Sequence, residues 1–168
     1  MTIIDDAKKY FEKNNKQDYL PKHIIQAEKW AKRLLLKHPE ADSEVVLAAI
    51  WLHDIGQSHP CEDHAVKSEE IVGNILAKNP KVTQIMHCVR AHRCKDVMPS
   101  TIEAKIVACA DSASHMTDYV YIDMLQENKD ALGKLERDYR DILPELKKEL
   151  LPLYTKWKEL IIEFKKVG

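Results

Sequence analysis

The chain has 168 residues, 45% of them hydrophobic and 32% charged, with a formal net charge of −1. That length suits one domain with a real core. The near-zero charge gives no global field to draw the protein to nucleic acid or an anionic membrane. The opening "MTIIDDAKKYFEKNN" has no apolar stretch and carries acids early, so it does not read as a secretory signal. No apolar run nears the roughly 18 residues that span a bilayer. The four cysteines (Cys61, Cys88, Cys94, Cys109) form no CxxC pair, which argues for free thiols in a reducing cytoplasm and against a zinc ribbon.

With only four glycines and no useful strand-like alternation, the chain reads as all-α. A first helix is expected over 4–14 and a second over 20–37. The second carries the stripe Leu20, His23, Ile24, Ala27, Trp30, Ala31, Leu34, which puts His23 on the inward face. The third, 43–54, is apolar nearly all round and should be central, with Ser43 as its cap and Gly56 as a stop signal. Helices at 62–78, 81–94 and 101–126 follow, then a charged helical segment over 127–142. Pro144 opens a last amphipathic region, which Pro152 should break or restart.

The third helix ends in an adjacent His53 and Asp54. A carboxylate at a helix C-terminus meets the negative pole, so a positive partner is expected nearby. Other polar residues also fall on apolar faces: His23, His92 three residues after Val89, and Asp111 four after Val107. A single inward histidine usually means a hydrogen-bonded core residue. Two buried aspartates and several histidines on different helices point instead to a shared cation, because a lone buried carboxylate is costly. Imidazole and carboxylate suit Mn, Fe, Co, Ni or Zn, with Mg as a further option.

The order His23, then "LHDIG" at His53-Asp54, then "ACADSASH" at Asp111 resembles the HD superfamily of metal-dependent phosphohydrolases, over about residues 18–120. The resemblance implies an all-helical bundle with the metal between helices, and a single HD domain over 1–168 with a helical extension from about 121. It implies a site of His23, His53, Asp54 and Asp111. His64 in "EDHAVKSEEI" and His92 in "VRAHRC" look like the extra histidines of members that bind a second ion, with Asp54 bridging. Asp54, His64 and His92 are then candidate catalytic residues. The implied reaction is hydrolysis of a small phosphate ester, often a nucleotide, by metal-activated water.

Arg90 and Arg93 flank His92 and are candidate phosphate donors; Lys67 and Lys105 are weaker ones. Gln57 stands where many relatives carry lysine, so the phosphate contact there is neutral. Glu62, Asp63 and Glu69 are near enough in sequence to act as acid or base. His115 suits a partner behind the ligands or a surface role, His59 the surface or the pocket mouth, and His87 falls off the apolar stripe. Residues beyond 118 match no motif; they could cap the pocket, set substrate choice or form a homodimer face. The alternative is a di-iron oxygenase of the same family, with which this ligand set is compatible. A non-catalytic sensing domain would bind little or no metal.

Overall fold

The computed structural model describes residues 2–167, and among them every regular element is helical. Helix α1 (Ile3–Asn14) starts at a reciprocal cap, in which Asp5 N donates to Thr2 Oγ1 (3.2 Å) and Thr2 N to Asp5 Oδ2 (2.8 Å). Its buried Ile3, Ala7 and Phe11 recur at four-residue steps, and Phe11 meets Trp51 edge-on at 5.6 Å. Helix α2 (Leu20–Leu35) buries the whole predicted stripe, His23 included. Helix α3 (Ser43–Leu52) packs against α1, α2, the fifth helix and the sixth, which explains its nearly all-round apolar character.

The ends of α3 differ from expectation in three ways. The cap is Asp42, which accepts from Glu44 N (3.0 Å) and Val45 N (3.3 Å), rather than Ser43. The α-helix stops at Leu52, and Asp54 begins a 3-10 turn (Ile55–Ser58). Gly56 does not terminate α3 through a left-handed conformation, because no described glycine has a positive φ. It is there for closeness: a Cβ at Gly56 would lie 2.3 Å from His64 O and 2.9 Å from Ser68 N. Gly56 N donates to Ser68 Oγ at 2.9 Å, so the turn is pressed onto the start of α4 (His64–Ile75).

Helix α5 (Val82–Ala91) ends at His92. Helix α6 (Ile102–His115) is capped by Thr101 and buries an unbroken run from Ile106 to Ser114. Within that run the polar Asp111, Ser112 and Ser114 are buried along with the apolar side chains. The predicted helix over 101–126 is in fact two. The chain breaks after His115, where Asp118 Oδ1 accepts from Val120 N (2.8 Å) in a turn that opens α7 (Val120–Gln126). Asn128 then takes a left-handed φ of 54°, and Asp130 caps α8 (Ala131–Asp141).

Helix α9 (Pro144–Val167) runs straight through Pro152, so that proline neither breaks nor restarts it. Pro152 is exposed, as is Lys148, whose carbonyl loses its helical donor to the proline. The buried apolar residues form one cluster from Ile3 in α1 to Ile161 in α9. Among the described residues, no helix is long and apolar enough to cross a membrane.

Candidate metal centre

Helices α2, α3 and α6 meet at the ends that carry His23, His53 and Asp111. His23 Nε2 lies 3.1 Å from His53 Nε2 and 3.1 Å from Asp111 Oδ1, and His53 Nε2 is 3.4 Å from that same oxygen. Asp54 divides its two oxygens. Oδ2 faces His23 (3.6 Å) and His53 (3.7 Å), while Oδ1 faces His64 (3.2 Å) and His92 (3.5 Å). His23, His53, Asp54, His92 and Asp111 are all buried, and His64 is partly exposed.

Local structure aims these groups. His53 Nδ1 donates back to Ile50 O at 2.8 Å and His92 Nδ1 to Val89 O at 2.6 Å. Each ring thus satisfies a helix-end carbonyl with one nitrogen and turns the other inward. His64 is the first residue of α4, placed by the Asp63 cap and by the contact with Gly56.

The donor set fits a cation. Carboxylate oxygens and imidazole lone pairs converge at hydrogen-bond distance with too few hydrogens between them. Asp54 Oδ1 is buried without a well-aligned hydrogen-bond partner, although two imidazoles face it. Burial opposes charge on Asp54, yet His53, His64 and His92 hold its carboxyl well below the usual carboxylate range. Burial likewise opposes charge on His23, but hydrogen bonds to Asp111 and Asp118, with Asp54 nearby, push it up to about 10. Burial keeps His92 below its ordinary value. Without a cation, a proton on His23 has to relieve the cluster. Two trios at the centre have ligand atoms close enough to share an ion: His23, His53 and Asp111, and His53, Asp54 and His92.

The cluster opens into a cavity of about 750 Å³. Gln57 lines it, with its side-chain oxygen accepting from the Tyr19 hydroxyl. Arg93 lines it too, clamped to the α4 cap through Asp63 (2.8 Å). Asp63 is thereby committed to Arg93 and to Ala65 N and Val66 N. Arg90 does not join them: it lies outside the cavity lining, 3.6 Å from Glu69 and 3.4 Å from Asp96. Lys67 pairs with Glu70, and Lys105 is exposed outside the lining. Glu62 and His59 also stay out of it, and His87 accepts from Ser100 N (3.2 Å).

The segment beyond 118 builds much of the wall: Tyr119, Val120, Asp123, Met124, Glu127, Lys129 and Lys134 line the cavity. Asp118 lies 3.4 Å from His23 Nδ1, a contact that sequence reasoning missed. Buried Asp138 on α8 was missed as well. It accepts from the Tyr121 hydroxyl (2.7 Å) and Lys134 (2.6 Å) and sits 3.4 Å from His115 Nδ1. A readable signal existed, since Ala131, Leu135, Asp138 and Ile142 form one helical stripe with an acid in it.

Ribonuclease Y of Thermoanaerobacter pseudethanolicus is 34% identical over 99 residues, which make up 58% of this chain but 19% of the relative. The chain therefore spans less than a fifth of that protein's length. No solved structure matches. The family model described as the HD domain matches residues 22–116, the stretch that supplies His23, His53, Asp54, His64, His92 and Asp111, and the chain belongs to that family.

Proposed function

We propose that the protein is a metal-dependent phosphohydrolase acting on a small phosphate ester, with a nucleotide as the favoured substrate class. The observation that carries this reading is the convergence of His23, His53, Asp54 and Asp111 on one point at the floor of an open cavity. A divalent cation held there lowers the pKa of water toward neutrality and polarises a phosphoryl oxygen. His23, His53, Asp54 and Asp111 are the proposed ligands, with His64 and His92 for a second ion and Asp54 between the two. Three of these histidines come to the task with their outer nitrogens already hydrogen-bonded, so little ordering remains when an ion arrives.

The chain's other residues orient the ester. Arg93, fixed by Asp63, offers guanidinium hydrogens at the cavity edge, and Gln57 a neutral amide. Tyr19, Tyr119, Val120 and Met124 give the leaving group an aromatic and apolar wall. A cavity of about 750 Å³ holds a mononucleotide comfortably. The name Ribonuclease Y raises RNA as a substrate, but a net charge of −1 favours small compounds over long polyanions. The four free cysteines support a reducing cytoplasm as its compartment.

The test is elemental analysis of the pure protein, joined to a screen of phosphomonoesters and phosphodiesters across added Mn, Co, Ni, Zn, Fe and Mg. Metal-dependent phosphate release is expected. Bound iron with oxygen consumption and no phosphate release would overturn the reading in favour of an oxygenase, and absence of bound metal would overturn it in favour of a sensing domain.

A further inference from the structure

Five histidine rings turn Nε2 toward the central carboxylates, and the Nδ1 atoms of four of them, all but His64, have partners that are not alike. Nδ1 of His53 faces Ile50 O and Nδ1 of His92 faces Val89 O, and a carbonyl oxygen can only accept. Nδ1 of His23 faces the Asp118 carboxylate at 3.4 Å and Ser114 Oγ at 3.1 Å. That hydroxyl donates its own hydrogen to Asp111 O (2.6 Å), so it too accepts from His23. In all three rings Nδ1 carries a hydrogen; Nε2 of His53 and His92 keeps a lone pair for a metal, and Nε2 of His23 offers one once its second proton leaves.

His115 is wired the other way round. The nearest neighbour of its Nδ1 is Lys134 Nζ at 2.9 Å, an ammonium with hydrogens to give and no lone pair. Asp138 Oδ2 is farther, at 3.4 Å, and Asp138 already accepts from Lys134 and from Tyr121. Nδ1 of His115 therefore accepts, and the hydrogen sits on Nε2. That nitrogen is 3.6 Å from Asp111 Oδ1, too far for a hydrogen bond, and it has no other hydrogen-bond partner among the described residues. The ring stacks on His23 at 5.0 Å and lines the cavity.

We propose that His115 is a hydrogen-bond donor for an anionic oxygen entering the cavity, a phosphoryl oxygen of the substrate, and is not a metal ligand; Lys134 and Asp138 of α8 fix that polarity. The identity of the oxygen rests on the phosphohydrolase reading, whereas the position of the hydrogen does not. The rival is concrete. His23, His115 and Asp118 are close enough to hold an ion, but that site needs a lone pair where Lys134 has forced a hydrogen.

Nitrogen-15 NMR of histidine-labelled protein reads the placement directly, in the metal-free form and with diamagnetic zinc. The expected spectra show the hydrogen on Nδ1 for His53 and His92 and on Nε2 for His115. In Lys134→Met, Asp138 is left as the partner of Nδ1, and the hydrogen is expected to move there. In His115→Phe, zinc affinity is expected to stay within about threefold, and binding of inorganic phosphate to the zinc-loaded protein to weaken by about tenfold, as for one lost hydrogen bond to a charged group.

A wild-type His115 carrying its hydrogen on Nδ1, or showing a zinc-bound Nε2, overturns the proposal. So does a tenfold loss of zinc affinity in His115→Phe, or unchanged phosphate binding in that variant. If Lys134→Met fails to fold, the wild-type spectra still decide. Wild-type protein that takes up no zinc but carries the hydrogen on Nε2 of His115 would sink the functional reading and leave the placement standing.

Discussion

The two parts of the cavity are held by different means. The floor, from residues 22–116, leans mainly on main chain: His53 and His92 hang on carbonyls of their own helices and Gly56 brings backbone against backbone, although His23 is held by the side chains of Ser114 and Asp118. The wall beyond Thr117 is anchored by side chains, through Tyr121, Lys134, Asp138 and their contact with His115. Main-chain anchors survive most substitutions around them, whereas side-chain anchors change with a single codon. The floor therefore suits a fixed chemistry and the wall an adjustable choice of substrate.

The largest effect should come from the floor. Asp54→Ala or His53→Ala is expected to bring bound metal, by elemental analysis, and phosphatase activity to background. Full metal content in either variant would break the ligand assignment. Next is Gly56→Ala, which forces a Cβ onto His64 O. Urea unfolding should show a loss of about 1–3 kcal/mol, the usual cost of overpacking, together with weaker metal binding as His64 is displaced. Unchanged stability there would remove the contrast between backbone and side-chain anchoring.

In the wall, Tyr121→Phe deletes one of the hydrogens on buried Asp138. It should cost about 1–3 kcal/mol by urea unfolding and leave metal content unaltered. The smallest effect lies away from the cavity. The Glu145 hydrogen bond, then Glu40, raise the pKa of His38 despite partial burial, so its folded value exceeds its unfolded one. That stability is fully present below the ordinary histidine value of 6.5 and is lost as pH rises through the raised one. His38 is near the surface and screened, so His38→Gln should cost under about 1 kcal/mol at pH 6, and less in mildly alkaline buffer, by thermal melts.

The floor was legible in the sequence because helical periodicity turns inward polar residues into anomalies. His23 on the α2 stripe and Asp111 a turn after Val107 could be picked out that way. The wall was not, because the break between α6 and α7 carries neither proline nor glycine. It is made by one Asp118 hydrogen bond and a change of direction that no periodicity records. The same limit explains Arg90 and Arg93. Both flank His92, but Arg90 sits on α5 and faces Glu69 and Asp96, whereas Arg93 lies past the end of that helix and turns to Asp63 and the cavity, a change that helical periodicity does not record. Gly56 stands out in the sequence as a helix stop, whereas the structure demands it for an absent Cβ.

The bonds from His53 to Ile50 O and from His92 to Val89 O have a consequence for how such a gene can vary. Each ring is indexed to a carbonyl three residues earlier, so adding or deleting one codon inside 50–53 or 89–92 swings that imidazole, a proposed ligand, about 100° off target. Substitution can wander over most of this protein, but length cannot. Insertions that keep the centre intact should accumulate in the connections at 95–100 and 127–130, where no ring is counted off against a helix.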